Sequence, residues 1–414
     1  MVTSCPVLAQ SLSGTVRDAR TEEPLIGATI RLEGTDIGAV TDVKGFYQLE
    51  NISAQTYNVS ASYVGYKPAT RFNVVVRSGG NPALNFDLSE ALDSLGEVVV
   101  LASPFERSDD TPNSIQRLSQ EEIATYPGGN NDIARVVQSL PGVSGSVGFR
   151  NDVIIRGGAP NENVYYLDGV EIPNINHFAT QGSAGGPVGL LNVSFIEGVT
   201  LNSSAFPAQY DNVLSGVLQF DQRTGNPQER RLNFRLGASE AAVTYEGPLL
   251  RLPPEDSLAN TTFIVSVRRS YLQFLFQLID LPFLPDYWDY QYKINHKIDE
   301  YNEINLIGIG SLDNFQINPP DEATPEQQAV LDQVPVIQQW TSTVGVSWRR
   351  RFRNGRGFFR TTLSGNILNN DFRRYADNVN ETGELLRNES VEDENKLRFE
   401  LTNFINDWTI SSGF

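Results

Sequence analysis

Cysteine and histidine are scarce in this chain of 414 residues, which contains one cysteine, Cys5, and two histidines, His177 and His296. A single cysteine excludes disulfides within the chain and metal sites built from thiolates. The two histidines lie far apart in sequence, so a histidine metal site or a Ser-His-Asp triad is a poor interpretation. Both are predicted to be ordinary polar or loop histidines. The sequence therefore predicts no catalytic residue, no metal site and no cofactor.

Long apolar runs and clusters of basic residues are also missing. No window approaches the roughly 18 consecutive apolar residues that indicate a membrane-spanning helix. The richest run, Tyr271 to Trp288, is interrupted by two prolines and several polar residues, so a membrane role would require a β-barrel. The formal net charge is -18, whereas a phosphate-binding surface needs clustered Lys and Arg. Nucleic acid is therefore not an expected partner.

The length of the chain predicts two or three domains. Residues 1–10 have the features of a signal-peptide remnant, because Val7-Leu8-Ala9 fits a small-x-small cleavage site; a disordered N-terminus is the alternative. Residues 11–90 are predicted to form a β-sandwich. Short runs such as Gly14–Asp18 and Ala28–Leu32 alternate apolar and polar residues between turns, as half-buried strands do.

Residues 91–112 are predicted to form a linker. The linker contains the β-prone run Glu97-Val98-Val99-Val100, followed by prolines and acidic residues. One interpretation is that this run is the last strand of the preceding domain. The other is an extended apolar segment that adds as a strand to the sheet edge of a partner protein.

Residues 113–224 combine helix and strand signals. Ser119 to Glu122 is a capping box that predicts a short helix, and residues 132–139 predict a second helix, which a Pro-Gly pair ends. Two apolar runs follow, and each leads into a glycine-containing turn with one charged residue, Arg156-Gly157-Gly158 and then Asp168-Gly169. The pattern predicts a strand, a polar turn and a second strand.

Residues 225–414 are predicted to contain about eight strands, several of which alternate with a period of two. The candidates are Leu232–Ala238, Ala242–Gly247, Phe263–Tyr271, Tyr290–Ile298, Glu303–Ile309, Thr341–Phe352, Phe358–Leu368 and Leu397–Ile405. Connections near 299–301 and 353–357 are short, whereas those over 272–289, 311–340 and 373–396 are long. This alternation is typical of an outer-membrane β-barrel with short periplasmic turns and long external loops; a soluble β domain is the alternative.

The ordered motifs of these segments resemble those of TonB-dependent outer-membrane receptors of the Bacteroidetes type. The run from Gly14 to Leu49 resembles a carboxypeptidase-regulatory-like domain. The resemblance implies a mainly β fold, with an N-terminal β-sandwich, an α+β plug domain and then a transmembrane antiparallel β-barrel. The residues that match the family's plug motif are Arg156, Gly157, Gly158, Asp168 and Gly169. Those that resemble its TonB box are Glu97, Val98, Val99 and Val100.

The resemblance implies a transporter in the cell outer membrane and not an enzyme. In the family, a ligand binds the outer face of the plug and loops, and TonB pulls on the box with energy from the proton gradient. The implied partners are TonB, outer-membrane lipid and an extracellular ligand, with a surface lipoprotein as a further candidate. The ligand is expected to contact loops such as 174–186 and 311–340. Its class stays open between a siderophore, an oligosaccharide, cobalamin and a peptide.

The resemblance also implies that Arg156 corresponds to a plug arginine that pairs with barrel carboxylates. Receptors with a plugged lumen use about 22 strands, and an eight-stranded barrel is filled by its own side chains. The chain is therefore predicted to be the N-terminal part of a longer receptor with an incomplete barrel. A non-transporting binding or adhesion module built on the β-sandwich is the alternative function. An enzyme is disfavoured because the zinc ligands of a metallopeptidase are not recognisable.

Overall fold

A computed structural model describes residues 10–76, 81, 83–91, 115–129, 132–145, 150–179, 186–204, 206–237, 240–250, 258–271, 283–317, 319, 324–331, 335–405 and 408–414. The chain divides into two compact units. The first consists mainly of residues up to 108, and the second mainly of residues 109–350 and 358–402. Among the described helices, none combines the length and the apolar character needed to span a bilayer.

The first unit is built from short strands in two sheets. In chain order they are β1 (Gln10–Asp18), β2 (Thr29–Leu32), β3 (Gly38–Val40), β4 (Phe46–Ile52), β5 (Thr56–Ser62), β6 (Ala69–Val75) and β7 (Phe86–Leu88). One sheet has the order β4-β1-β7 and the other β3-β2-β5-β6. Along β2, Ile30 and Leu32 are buried while the residues between and before them are exposed. The buried residues of both sheets form one apolar core, so the predicted β-sandwich is confirmed.

The second unit begins with an α+β domain. Its elements are β8 (Ile115–Ser119), α1 (Gln120–Thr125), α2 (Ile133–Val137), β9 (Val143–Gly145), β10 (Val153–Ile155), β11 (Asn163–Leu167), β12 (Val170–Ile172), β13 (Ile196–Asn202) and β14 (Gly216–Gln222). Five of the strands form a sheet in the order β12-β11-β14-β13-β8, and β9 pairs with β10. The apolar faces of the helices and of this sheet belong to one core.

Both predicted helices of this domain are present. Ser119 caps α1, and the reciprocal contact between Ser119 and Glu122 completes the predicted capping box. Asp132 caps α2 by accepting a hydrogen bond from the backbone N–H of Ala134 (3.0 Å). The helix is shorter than predicted and ends at Val137. The chain then turns towards Gly142, whose φ of +81° is a left-handed conformation that ends regular helix.

The remaining strands form one nine-stranded sheet. They are β15 (Arg231–Leu236), β16 (Glu240–Pro248), β17 (Thr261–Ser270), β18 (Phe283–Lys297), β19 (Asn302–Ile317), β20 (Val336–Arg351), β21 (Gly357–Asp377), β22 (Thr382–Ile405) and β23 (Trp408–Gly413), with the helix α3 (Pro325–Leu331) between β19 and β20. Each strand neighbours the next in sequence, and the pairs from β15 to β20 are antiparallel. Within the described chain the sheet is a partial, open barrel wall with β15 and β23 at its edges. The mainly β fold with a plug and an incomplete barrel is confirmed, with nine strands in place of about eight.

The predicted long connection over 373–396 is wrong. Strands β21 and β22 run through it and meet in a turn between Asp377 and Thr382. The Asp377 carboxylate accepts hydrogen bonds from the backbone N–H groups of Val379 and Asn380 and so closes this turn. Arg373 on β21 and Glu389 on β22 form a cross-strand ion pair (3.0 Å). Cross-strand pairing therefore orders a polar stretch whose composition alone suggested a loop.

The strands next to the other two predicted long connections also extend further than expected. Strand β18 begins at Phe283, inside the predicted connection over 272–289, and β19 continues to Ile317. The helix α3 lies within the connection predicted over 311–340. The partner strands supply the backbone hydrogen bonds of these extensions, and that pairing is not visible in the local sequence.

The two sides of the nine-stranded sheet have inverted polarity relative to a soluble sandwich. Alternate residues along β20 point to opposite sides. The buried side presents polar residues, Gln339, Thr341, Thr343 and Ser347, and the exposed side presents Trp340, Val344, Val346 and Trp348. A soluble β-sheet buries its apolar face, whereas a membrane barrel turns its apolar face outward. The sheet therefore has the polarity of a membrane-barrel wall.

Candidate functional site

The plug domain contacts the buried side of the sheet partly through apolar groups. Ile307 and Ile309 on β19 belong to the same apolar core as the plug strands. A Cβ atom added at Gly345 on β20 would lie 2.3 Å from Cγ2 of Val170 on β12. Glycine is therefore required at position 345 because β12 lies directly against β20.

A buried arginine on β17 joins the sheet to the plug. The Arg268 guanidinium donates to Asp289 Oδ2 (2.6 Å) and to Glu240 Oε2 (3.1 Å). Its Nη2 donates to the carbonyl oxygens of Gly189 (2.8 Å) and Leu190 (2.9 Å) in the plug. Arg268 is 1% exposed, and a charge removed from water to this extent requires such partners. The arginine is neutralised by the sheet and satisfies two backbone carbonyls of the plug.

His177 of the plug lies beside this arginine, between two carboxylates of the sheet. Its Nδ1 is 2.7 Å from Asp313 Oδ1 and its Nε2 is 3.2 Å from Asp289 Oδ2. The imidazole is fully buried and stacks on the ring of Tyr287 with 3.9 Å between centroids. The prediction of an ordinary polar or loop histidine is therefore wrong for His177.

A second group of charges lies at the Asp168 turn. The Lys293 ammonium is 2.9 Å from Asp168 Oδ2 and donates to the carbonyl oxygen of Gln222 (2.6 Å). Arg223 of the plug forms a two-point ion pair with Glu246 of β16 (2.6 and 3.2 Å), the geometry in which arginine binds a carboxylate most strongly. Polar side chains thus connect the plug sheet to β16 and β18.

Asp168 and Gly169 form the two-residue turn between β11 and β12, as predicted. Their φ angles are +50° and +82°, and two left-handed residues are what a tight hairpin turn of this type requires. The Asp168 carboxylate also accepts hydrogen bonds from the backbone and side-chain N–H groups of Gln222 (2.9 and 3.0 Å). The aspartate therefore closes the turn and at the same time faces Lys293.

Arg156, Gly157 and Gly158 form the turn after β10. Arg156 and Gly157 have φ angles of +51° and +79°. A Cβ atom at Gly158 would lie 1.7 Å from Ser215 Oγ, so only glycine lets the chain pass that serine. The Ser215 hydroxyl in turn donates to Glu162. Gly157 therefore permits the left-handed turn, whereas Gly158 has a steric role and brings this turn against the segment that leads into β14.

Two family models match the chain. The CarboxypepD_reg-like domain covers residues 12–100 and the TonB-dependent Receptor Plug Domain covers residues 107–217. TonB-dependent receptor P26 of Formosa agariphila is 32% identical over 178 residues, which cover 40% of this chain and 16% of that protein. TonB-dependent receptor SusC of Bacteroides thetaiotaomicron is 28% identical over 233 residues, which cover 52% and 21%. The chain therefore carries the CarboxypepD_reg-like and plug domains of TonB-dependent receptors.

The fold agrees with that of a solved outer-membrane receptor. The pyoverdine outer membrane receptor FpvA of Pseudomonas aeruginosa PAO1, solved with pyoverdine bound, aligns with a TM-score of 0.51 and 14% identity. The alignment covers 73% of this chain and 46% of that one. Identity at this level shows a shared fold alone. The chain spans 16% and 21% of the length of the two curated relatives named above.

The ion pair expected for Arg156 stays a prediction. Its side chain is exposed and forms no salt bridge with any residue that the structure describes. Its left-handed turn lies beyond the end of β10, outside the buried interface. The TonB-box residues Glu97, Val98, Val99 and Val100 lie outside the described residues, as do residues 1–9, so their roles stay predictions.

The buried charges that connect plug and sheet were not identified from the sequence. One local signal was available for Arg268. Arg268 and Arg269 are consecutive in a strand, so one of the two must point to the interior. No comparable signal exists for His177, whose partners lie 112 and 136 residues away in sequence. Among the described residues, no group of three or more His, Cys, Asp or Glu is arranged to hold a metal ion.

Proposed function

We propose that this chain acts in a TonB-dependent outer-membrane receptor that binds an extracellular ligand and takes it into the periplasm with energy from TonB. The observation that carries the proposal is the set of buried hydrogen bonds and ion pairs that join plug and sheet beside their apolar contacts. Water can replace such contacts one by one when a plug moves, because each net hydrogen bond contributes only about 0.5–1.5 kcal/mol. Water cannot replace apolar contacts in this way. An interface with many polar contacts therefore suits a plug that must move.

The outer face of the sheet supports a location in the outer membrane. On β20 the exposed side chains run from Trp340 through Val344 and Val346 to Trp348. Eight residue steps at about 3.4 Å span about 27 Å of strand. Strands of outer-membrane barrels are tilted by about 35–45°, so this length corresponds to a band about 19–22 Å high, and an apolar band with aromatic residues at both ends is typical of such barrels. We infer that this face contacts lipid.

We propose the following division of the chain: a β-sandwich at 11–90, a linker with the TonB box at 91–112, a plug at 113–224 and barrel wall from 225. In this arrangement TonB reaches the linker from the periplasmic side. The ribbon formed by the ends of β21 and β22 extends to the outside, where the loops of such barrels are long.

The segment that TonB binds, here called the grip, is proposed to be Glu97, Val98, Val99 and Val100. An extended segment of this composition binds by adding a strand to the partner's sheet edge, so its backbone provides affinity and its alternate side chains provide selectivity. The ligand is proposed to be a siderophore, an oligosaccharide, cobalamin or a peptide, and to contact the connections around 174–186 and 311–340.

Deleting residues 95–101 from the receptor in its own host is expected to abolish uptake and leave ligand binding at the cell surface intact. The reason is that the deletion removes the grip and leaves the plug and the outer loops unchanged. Surface binding and periplasmic accumulation are measured separately, with labelled representatives of the four ligand classes. A deletion of equal length, residues 103–109, is the matched control and should retain uptake.

Three outcomes of this deletion experiment are informative. Unchanged uptake after deletion of residues 95–101 would contradict the assignment of this segment as the TonB box. Equal loss in both deletions would indicate that linker length, and not the box, is required. Binding without uptake in the unmodified receptor would favour a non-transporting binding module over a transporter.

A further inference from the structure

We propose that His177 and Asp313 form a proton-dependent latch between plug and sheet. The latch holds the plug residues 174–179 and 186–191, here called the latch segment, on β17 to β19. Loss of the His177 proton releases the segment. The latch is a property of the fold, and only its consequence for transport rests on the proposed function.

The Asp313 carboxylate holds two consecutive residues of the plug. Its Oδ1 lies 2.7 Å from His177 Nδ1, and its Oδ2 accepts a hydrogen bond from the backbone N–H of Phe178 (2.9 Å). Phe178 has a φ of +56°, a left-handed conformation that a bulky side chain rarely adopts. One aspartate therefore stabilises a turn that is intrinsically unfavourable. Once this contact is lost, the turn is expected to relax to a more favourable backbone conformation.

The opposite edge of the imidazole meets a second carboxylate. His177 Nε2 lies 3.2 Å from Asp289 Oδ2. A neutral imidazole has one N–H group, whereas the imidazolium ion has two. Only the protonated ring can therefore donate to Asp313 and Asp289 together. In the neutral ring with its proton on Nδ1, the Nε2 lone pair has only the long contact from Arg268 Nη2 (3.4 Å) as a donor and also faces Asp289 Oδ2, so the contact with Asp289 would become repulsive.

The charges around His177 balance only when it is protonated. Asp313 on β19, and Asp289 with Tyr287 on β18, contact the ring, and Arg268 on β17 lies 3.4 Å from Nε2. Glu240 on β16 binds Arg268 and is also paired with Arg235 on β15 (2.8 Å). With His177 protonated, three cations face three anions: His177, Arg268 and Arg235 against Asp289, Asp313 and Glu240. Without that proton the buried group has a net charge of -1, which is costly away from water.

The Asp132 carboxylate inside the plug does not belong to this group. Asp132 accepts hydrogen bonds from the backbone N–H groups of Ala134 (3.0 Å) and Gly189 (2.9 Å) and from the side chain of Asn151 (2.5 Å). Gly189 lies between Asp132 and Arg268, because its N–H donates to the first and its carbonyl accepts from the second. The latch segment is thus joined to the plug by Asp132 and to the sheet by Arg268 and Asp313.

The pKa of His177 supports this assignment. Burial is the largest single influence and lowers the pKa, but the carboxylates of Asp313 and Asp289 together outweigh it, so the pKa is raised above its ordinary value of 6.5. A raised pKa in the folded state means that the proton stabilises the latch. That stabilisation is fully present below pH 6.5 and is lost as the pH rises through the higher pKa of the folded state.

Hydrogen exchange of the intact protein between pH 6 and pH 9 tests the latch. After correction for the intrinsic exchange rate at each pH, peptides from the latch segment are expected to lose protection about tenfold or more as the pH rises. This size corresponds to the loss of a hydrogen bond to a charged group. Peptides from β11 and β14, in the interior of the plug sheet, should change little. Constant protection of the latch segment across this range would overturn the proposal.

A double-mutant cycle separates the charge effect from a merely structural one. His177→Gln leaves the group with an unbalanced charge, so protection of the latch segment should be low at every pH. Adding Asp313→Asn restores two cations against two anions, so the double variant should regain protection and show no dependence on pH. If the single variant retains the pH dependence of the wild type, or if the double variant is as unprotected as the single, the latch is wrong. The wild-type pH series needs no substitution and stands even if a variant fails to fold.

Discussion

Replacing Arg268 with methionine is expected to lower the free energy of unfolding by about 3–5 kcal/mol. The substitution leaves the carboxylates of Asp289 and Glu240 in a buried site without their main counter-ion. It also removes the donor to the carbonyl oxygens of Gly189 and Leu190. Methionine fills much of the same volume. The decrease in the free energy of unfolding is therefore caused by the lost charge and not by a cavity.

Arg269→Met is the matched control for this substitution. Arg269 follows Arg268 on the same strand, but its side chain is partly exposed and pairs with Asp286 at the other side of the sheet. Loss of such a pair is expected to cost about 0–1 kcal/mol. Denaturant unfolding in detergent can be followed by the fluorescence of the four tryptophans, all of which lie on strands of the sheet. Equal effects of the two substitutions would contradict the buried network.

Placing an arginine at Val344 is expected to destabilise the protein in lipid vesicles by about 2–4 kcal/mol. Val344 is midway between Trp340 and Trp348 on the exposed side of β20. In the proposed orientation it lies at the centre of the bilayer, where a guanidinium loses its hydration. If this face met water, the same substitution would have little effect, because exposed surface changes usually fall within about 0.5 kcal/mol.

Gln338→Arg tests whether that effect depends on depth. Gln338 is exposed on the same side of β20, one pair of residues beyond Trp340. An arginine at this position should cost only about 0–1 kcal/mol, because it lies near the membrane surface. Unfolding from vesicles is measured for both variants against the wild type. Small and equal changes at the two positions would argue that the exposed face is not in contact with lipid.

The sequence was sufficient for features that depend on neighbouring residues. The capping box at Ser119, the turn at Asp168-Gly169 and the alternation along the strands are local patterns, and the structure has each of them. The order of the motifs was sufficient for the family. These predictions succeed because the interactions that cause each feature involve residues only a few positions from the sequence pattern that indicates it.

The predictions that failed concern contacts between distant residues. The long ribbon of β21 and β22 depends on pairing such as that of Arg373 with Glu389, which composition does not reveal. The ion pair of Arg156 remains untested, because a left-handed turn leaves its side chain exposed among the described residues. The buried arginine Arg268 on the sheet was not predicted, because its partners come from three other parts of the chain.

Contact between TonB and the run Glu97–Val100 in living cells is the most direct test of the account. A photo-activated cross-linking amino acid is placed at Val98, and at Asn380 in the turn between β21 and β22 as the control. The account predicts a cross-link to TonB from position 98, because this position lies in the proposed grip on the periplasmic side. No cross-link is predicted from position 380, which is proposed to lie outside the cell. A folded receptor at the cell surface that cross-links to TonB from neither position, or equally from both, would contradict it.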